Sequence, residues 1–249
     1  MASPLKLKAT LWSSRCPRFW QGSVRAKPEV MTQVKKLRTA ILISGRGSNM
    51  MSLVEAARAP AYPAQIVTVI SNRPDAAGLA WAKSQGIATA AIDHKAYASR
   101  ADFEAVLQTA LVTARVDLVA LAGFMRLMTA EFVSLWHNRM INIHPSLLPS
   151  FKGLDTHQRA LAAGARVHGC TVHFVRAEMD TGPIIAQAAV AVHSGDTPEI
   201  LAARVLAAEH RVYPHALALL GSGRASVNAE KVTVIEDVNR DSWLFSPAL

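Results

Sequence analysis

An asparagine and a histidine stand two residues apart in the apolar segment "MINIH" (140–144). Because side chains alternate along an extended strand, Asn142 and His144 are expected to point to the same side. This pair suits acyl transfer, since an amide can stabilise a developing oxyanion while an imidazole supplies or moves a proton. Asp180, in the polar loop between two later strands, is the acid best placed to orient or charge the histidine. A capping and hydrogen-bonding role for the Asn-His pair remains the alternative.

The motifs that the sequence lacks narrow this chemistry. There is no GxSxG segment, and Cys170 lies inside a predicted strand, so a covalent acyl-enzyme is not expected. The nine histidines form no HExxH motif, and His157, His168 and His173 are interpreted as structural. We therefore expect no metal, and direct attack of a bound nucleophile on a bound acyl donor.

A glycine-rich turn, "ISGRGSN" (43–49), stands where a first predicted strand meets a first helix. Glycines there allow an anion to approach the backbone, and the helix N-terminus supplies amide donors. Gly45 and Gly47 fit the dinucleotide-binding spacing, but Met50 occupies the third glycine position and no Gly-Lys-Ser/Thr follows. The turn therefore favours a single phosphate, with a tight turn at a glycine as the alternative.

Short apolar runs alternate with helical stretches from Thr39 to Pro149. Strands that are apolar throughout, separated by helices, are typical of a parallel sheet covered on both faces. Two longer strands follow, then a long helix that Thr197 caps and Gly221 ends, with a kink expected at Pro214. Asp155 is expected to cap the helix before these strands, and a C-terminal hairpin is expected after them. The pattern predicts an α/β fold with a doubly wound, mostly parallel sheet.

The net charge of +9 is concentrated at the N-terminus. Residues 1–38 hold nine of the 27 basic and one of the 18 acidic residues, so the rest of the chain carries only +1. A groove for nucleic acid is therefore not expected. Residues 1–37 are interpreted as a basic, disordered extension, from an upstream start codon before Met31 or as a tail, with an organelle-targeting segment as the alternative. Two cysteines without a CxxC pair and no apolar stretch of spanning length favour the cytoplasm.

Six segments resemble the folate-dependent formyltransferases, and among them the phosphoribosylglycinamide formyltransferases of purine synthesis. They are "ISGRGSN", "LAGFMR", "INIHPSLLPSFKGLDTH", "VHFV", "MDTGPII" and "EHRVYP", in the order and spacing of that family. The resemblance runs from about Thr39 to about Val227. It implies a Rossmann-like formyltransferase fold in one catalytic domain, 38–228, with a phosphate-binding half (38–138), a folate and catalytic half (139–228) and a tail (229–249).

The resemblance also implies the substrates and the site. It implies transfer of a formyl group from 10-formyltetrahydrofolate, as co-substrate, to glycinamide ribonucleotide, without a metal. The catalytic residues that it implies are Asn142, His144 and Asp180. The ribonucleotide residues are Gly47, Ser48, Asn49 and Glu209. The folate residues are Arg100, Met125, Arg126, Leu127, Met128, Arg176, Ala177, Glu178, Met179 and Asp180. The segment "PSFKGLDTH" departs from the "PKYPGLHTH" common in bacterial members, which leaves the local folate contacts open.

Other functions remain as alternatives. A 10-formyltetrahydrofolate hydrolase resembles the sequence through the same trio, but it usually carries a regulatory domain ahead of the catalytic one. A methionyl-tRNA formyltransferase usually adds a C-terminal tRNA-binding domain. A binding protein without catalysis and an RNA binder acting through the basic leader are further alternatives. The expected partners are small molecules, with no nucleic acid or membrane, and the protein is expected to be a monomer or a homodimer.

Overall fold

Seven strands form the central sheet of the computed structural model, which describes residues 35–235. They are β1 (Leu37–Ile43), β2 (Ala64–Ser71), β3 (Thr89–Ala91), β4 (Leu118–Leu121), β5 (Met140–His144), β6 (Val167–Phe174) and β7 (Ile184–Ala191). The order is β3-β2-β1-β4-β5-β6-β7; β1 to β5 are mutually parallel, while β6 and β7 are antiparallel to their neighbours. The expected mostly parallel sheet is confirmed. The interpretations of the basic leader and of the last residues of the tail lie outside the described residues.

Helices cover both faces of this sheet, as expected for a doubly wound fold. They are α1 (Ser48–Ala57), α2 (Ala77–Ser84), α3 (Arg100–Thr113), α4 (Ala130–Leu135), α5 (Thr156–Ala162) and α6 (Pro198–Gly221), with a short 3-10 helix at His94–Ala96. Apolar residues of α1, α2 and α6 form one buried core with the sheet, and residues of α3 and α4 form a second. None of the helices in residues 35–235 is long and apolar enough to cross a membrane.

Two expectations about helix ends have different outcomes. Thr197 caps α6 as expected, because its Oγ1 accepts a hydrogen bond from the Ile200 amide (3.4 Å). Asp155 precedes α5 as expected, but its side chain makes no capping hydrogen bond. The reason is its left-handed backbone (φ 55°), whereas a capping residue is normally extended. The Thr156 hydroxyl instead donates to the Pro145 carbonyl (2.7 Å), which ties α5 to the segment after β5.

Helix α6 continues past Pro214, and a hairpin follows it. Helix α6 runs without interruption from Pro198 to Gly221, so Pro214 does not divide it. The expected hairpin is present as β8 (Ala225–Asn228) and β9 (Lys231–Val234), and the proposed boundary between residues 228 and 229 falls at its turn.

The crevice expected for ligands lies between β1 and β4, where the order of the strands in the sheet reverses. Strands β2 and β3 extend from one side of β1, and β4 and β5 from the other. Open α/β sheets bind ligands beyond the carboxyl ends of the strands at such a point. The glycine-rich turn follows β1, and the Asn-His pair ends β5, so both candidate motifs lie on this side of the sheet.

Candidate active site

Strand β5 presents the Asn-His pair, and an antiparallel neighbour lies beside it. In the pairing of β5 with β6, Asn142 is opposite His173 and His144 is opposite Thr171. His144 is buried and Asn142 is half-buried. The His144 Nε2 atom is 3.0 Å from the Phe151 carbonyl oxygen, which fixes the plane of its ring.

Asp180 reaches this pair from the loop between β6 and β7. Its Oδ2 atom is 3.4 Å from His144 Nδ1 and accepts a hydrogen bond from the Gly153 amide (2.9 Å). Its side chain is only 8% exposed. Both ring nitrogens of His144 therefore face oxygen acceptors, an arrangement that a doubly protonated imidazolium satisfies. The structure brings the predicted Asn142, His144 and Asp180 together.

His173 joins this cluster, although the sequence interpretation left it as a structural residue. Its Nδ1 atom is 2.9 Å from the Phe174 carbonyl oxygen, its Nε2 atom is 3.4 Å from Asn142 Nδ2, and that Nε2 is 3.7 Å from Asp180 Oδ1. Burial lowers the pKa of His173, so the neutral ring is favoured. A neutral ring that donates from Nδ1 can accept from Asn142 at Nε2, which orients the amide. Its place beside Asn142 depends on the antiparallel pairing of β6 with β5, which the sequence does not show.

Two other histidines lie next to the segment that carries Phe151. The rings of His157 and His168 meet edge to face at 5.3 Å, and Phe151 contacts His168 in the same way. Burial lowers the pKa of His168 to about 4, with a smaller contribution from His157, and burial also lowers the pKa of His157. Both rings are therefore neutral near pH 7. Across residues 35–235, no group of three or more His, Cys, Asp or Glu side chains is arranged to hold a metal ion.

The glycine-rich turn opens α1 in the way expected of an anion site. Gly47 precedes the helix with a left-handed backbone (φ 73°), and it has no side chain that could accept from the first-turn amides. These amides, with the positive end of the helix dipole, suit a phosphate. A Cβ atom at Gly47 would lie 3.1 Å from Met50 Cε, so a larger residue would disturb both the turn and the first helical turn.

Asn49 connects this turn to Glu209 on α6. The Asn49 side-chain amide donates to Glu209 Oε2 at 2.7 Å, across 160 residues of sequence. Glu209 is 6% exposed, and its burial raises the pKa of the carboxyl, an effect that the bond from Asn49 opposes. The ribonucleotide residues implied by the resemblance, Gly47, Ser48, Asn49 and Glu209, thus form one local group.

The expected folate residues fall on three parts of the chain. Met125–Met128, which we name the donor wall, follow β4; Met125 and Leu127 in it are 74% and 61% exposed. Residues 176–180 form the loop that carries Asp180, and Arg100 is the exposed first residue of α3. The Arg126 guanidinium lies 5.4 Å from the centre of the Phe103 ring.

The Arg176 side chain points away from this arrangement. Its guanidinium donates to Glu230 at the turn of the hairpin (2.8 and 3.1 Å) and to Asn138 Oδ1 before β5 (2.7 Å). Because these bonds hold the Arg176 side chain, residue 176 can face a ligand beside the loop 176–180 only through its backbone.

A cavity of about 440 Å³ opens beside the donor wall. Its lining contains Met125 and Arg126 of the predicted folate set, Gly123 just before them, and Ser44 and Gly45 of the glycine-rich turn. It also contains three residues that no motif had indicated: Asn72, Arg73 and His94. These three follow β2 and β3, and only the sheet order brings them beside the ends of β1 and β4.

Comparison with known proteins identifies the family and several relatives of this chain. The formyl transferase family matches residues 37–217. The chain is 49% identical over 207 residues to the trifunctional purine biosynthetic protein adenosine-3 of Bos taurus, covering 82% of this chain and 20% of that protein. It thus spans about a fifth of the length of such relatives. It is 40% identical over 192 residues to the phosphoribosylglycinamide formyltransferase of Escherichia coli (strain K12), covering 77% of this chain and 91% of that enzyme.

Solved structures give the same result. The glycinamide ribonucleotide transformylase 1 of Symbiobacterium toebii superposes with a TM-score of 0.78 at 45% identity, covering 81% of this chain and 95% of that one. The formyltetrahydrofolate deformylase of Burkholderia mallei ATCC 23344 superposes with a TM-score of 0.74 at 28% identity, covering 82% and 71%. With most of the described residues matched in sequence and in fold, the chain belongs to the formyl transferase family.

Proposed function

We propose that this protein transfers the formyl group of 10-formyltetrahydrofolate to the amine of glycinamide ribonucleotide, a step of purine synthesis. The observation that carries the proposal is the convergence of Asn142, His144 and Asp180 on the same side of the sheet as an anion-binding helix start. The proposal is supported by similarity to the phosphoribosylglycinamide formyltransferase of Escherichia coli (strain K12), since the chain covers 91% of that enzyme at 40% identity.

The chemistry follows from the donors around the reacting carbonyl. The neutral amine attacks the formyl carbon, and the carbonyl electrons move to oxygen as the new C–N bond forms. The Asn142 amide and the His144 imidazolium are proposed to stabilise this oxyanion, with the Asp180 carboxylate 3.4 Å from His144 Nδ1. The amine then loses a proton, through water near Asp180, while the bond between the formyl carbon and the folate nitrogen breaks and that nitrogen takes up a proton. The products are the formylated ribonucleotide and tetrahydrofolate.

The ribonucleotide is proposed to bind through backbone and carboxylate groups. Its phosphate would accept from the amides at the start of α1, where Gly47 lets it approach. Glu209 would hold the glycinamide part, with its carboxylate oriented by Asn49. Since Asn49 Oδ1 is buried without a hydrogen-bond partner in residues 35–235, it is available to a ligand donor.

The formyl donor is proposed to lie between the donor wall and the loop 176–180. The exposed apolar side chains of Met125 and Leu127 on one side, and of Met179 on the other, suit an aromatic ring system. Arg126 is proposed as a further contact to the formyl donor from the donor wall. Arg100 is proposed as a contact near the outer part of the folate. The contribution of Arg176 is limited to its backbone, because its side chain is bound to Glu230.

The partners and location are also proposals. The near-neutral charge of the chain beyond residue 38 supports small-molecule substrates rather than nucleic acid or membrane as partners. The protein would act as a monomer or a homodimer. A cytoplasmic location is supported by Cys170, which is a buried free thiol.

The test is an assay of tetrahydrofolate formation with and without glycinamide ribonucleotide. We expect turnover that depends on the ribonucleotide and that is lost in His144→Ala. Equal turnover without the ribonucleotide would instead support a hydrolase. No turnover under either condition would leave a binding protein as the better description.

A further inference from the structure

The loop that carries the donor wall is tied to the fold at its first residues by a buried serine. The Ser44 amide donates to the Gly123 carbonyl (3.2 Å), and the Met125 amide donates to Ser44 Oγ (2.8 Å). The Ser44 hydroxyl in turn donates to Asn72 Oδ1 at 2.5 Å, and both side chains are buried. One hydroxyl therefore fixes the start of the wall to the ends of β1 and β2.

A buried carboxylate on α3 ties the far end of the same loop. Glu104 is 4% exposed, and its Oε1 accepts from the Thr129 amide (2.8 Å) while its Oε2 accepts from the Thr129 hydroxyl. The Thr129 hydroxyl oxygen also accepts from the Phe132 amide (3.2 Å), which caps α4. Glu104 thus fixes the residue that directly follows Met128.

The wall between these two anchors packs only in part against the protein. Met128 contacts the second core, and Arg126 lies over the Phe103 ring. Met125 and Leu127, by contrast, are largely exposed and contribute little to the conformation of the segment. Hydrogen bonds from its flanking backbone to buried acceptors add to this partial packing. At the end of the wall farther from the sheet the acceptor is a carboxylate. Carboxylates make shorter and stronger hydrogen bonds than neutral acceptors do.

We propose that Glu104 and Ser44 are positioning residues that set the donor wall for the formyl donor. The inference rests on the proposed function, since it assigns to the wall the formyl donor and not the ribonucleotide. The Glu104 carboxylate accepts its hydrogen bonds from Thr129, while Ser44 is itself a residue of the glycine-rich turn. Glu104 is therefore the cleaner residue to test, and Ser44 provides an independent second variant at the other end.

The experiment compares steady-state constants for both substrates in the full chain. A displaced backbone weakens only the contacts made by the wall, so we expect Glu104→Ala and Ser44→Ala to raise the KM for 10-formyltetrahydrofolate about tenfold, with the ribonucleotide KM within about twofold. Glu104→Gln keeps an acceptor for the Thr129 amide and should restore the donor KM to within about threefold.

The matched control is Gln108→Ala, one helical turn further along α3. Gln108 Oε1 accepts from Trp136 Nε1 at 2.8 Å, so this variant also removes a bond between α3 and the region of α4 but does not touch Thr129. It should lower the unfolding temperature and leave both KM values unchanged. An unchanged donor KM in the folded anchor variants, or a parallel rise of both KM values, would overturn the inference.

Two further measurements keep the outcome separate from that of the proposed function. If Glu104→Ala does not fold, Ser44→Ala and the milder Thr129→Ala replace it with the same expected split of KM values. If the unmodified protein transfers no formyl group, the proposed function fails. Calorimetric titration with tetrahydrofolate then still tests the anchors, because weaker binding in the anchor variants but not in Gln108→Ala supports them, and equal binding in all variants contradicts them.

Discussion

The proposed ribonucleotide side and the proposed catalytic side of the cleft are built from different parts of the chain. On the first side, Gly47 precedes a helix whose first-turn amides receive no side-chain cap, and the buried acid Glu209 is hydrogen-bonded to Asn49 in the first helical turn. On the catalytic side, the working groups are side chains of β5, β6 and the following loop, held against one another. Changes on the first side should therefore alter binding, and changes on the second should alter turnover.

The largest expected effect is the loss of His144. Since His144→Ala removes the imidazole proposed to stabilise the oxyanion and leaves α1 intact, kcat should fall about 100 to 1000-fold with the ribonucleotide KM nearly unchanged. Steady-state kinetics with both substrates measures this, with His137→Ala as the control because His137 is largely exposed. Near-normal turnover in a folded His144→Ala protein would remove the catalytic side from the mechanism.

Asp180→Asn is expected to come next. Asp180 has a left-handed backbone (φ 54°), which asparagine tolerates better than alanine, so this variant removes the charge with little strain. Without the carboxylate, the His144 ring loses the anionic partner at its Nδ1 atom, and kcat should fall about 100-fold with the fold retained. Circular dichroism and kinetics together test this. A fall in ribonucleotide affinity with unchanged kcat would show that the two sides are not separate in the way we describe.

Gly47→Ala should produce the opposite pattern. The added Cβ meets Met50 Cε at 3.1 Å and a left-handed backbone is strained in alanine, so the helix start should shift and raise the ribonucleotide KM about tenfold, with kcat within about threefold. Gly223→Ala is the matched control. Gly223 has the same left-handed backbone (φ 71°) at the end of α6, with open space around it, so its variant should lose stability without a change in either KM.

Glu209→Gln gives the smallest and most pH-dependent effect. Burial raises the pKa of Glu209, so its carboxylate takes up a proton at a higher pH than an ordinary glutamate, and the ribonucleotide KM should rise several-fold as the pH is lowered through that pKa. Glu209→Gln should raise this KM at neutral pH and flatten the dependence. KM measured between pH 5 and 8 would contradict the role of Glu209 if the two proteins had parallel profiles.

Glu209 should also reduce stability at neutral pH. A carboxyl whose pKa is higher in the folded protein stabilises the fold at low pH, and that contribution is lost as the pH rises through the raised pKa. Glu209→Gln should therefore unfold at a higher temperature than the unmodified protein near pH 7. This difference should shrink as the pH is lowered, because both side chains are then neutral.

The sequence predicted the parts of this arrangement that depend on local pattern. The glycine-rich turn, the Asn-His pair and the helices between apolar strands are all visible as short segments, and the sheet class follows from them. Asp155 shows the limit of such patterns, because its residue type suits a helix cap while its left-handed backbone excludes one.

The features that sequence could not predict depend on contacts between distant segments. His173 acquires its place from antiparallel pairing with β5, and Glu104 acquires its place from a bond to Thr129 in the loop after β4. The resemblance included Arg176 among the folate residues, and only the fold could show that Glu230 at the hairpin turn binds its guanidinium. Side-chain direction at such positions depends on tertiary contacts rather than on residue type.

Direct transfer between two substrates bound on the two sides of the cleft can be tested by following the formyl carbon itself. 10-Formyltetrahydrofolate labelled with ¹³C in its formyl group is incubated with the protein and glycinamide ribonucleotide, and the products are identified by NMR. We expect the label to appear in the formylated ribonucleotide, in equal amount to the tetrahydrofolate released. Label recovered as formate, in the same amount with or without ribonucleotide, would contradict it.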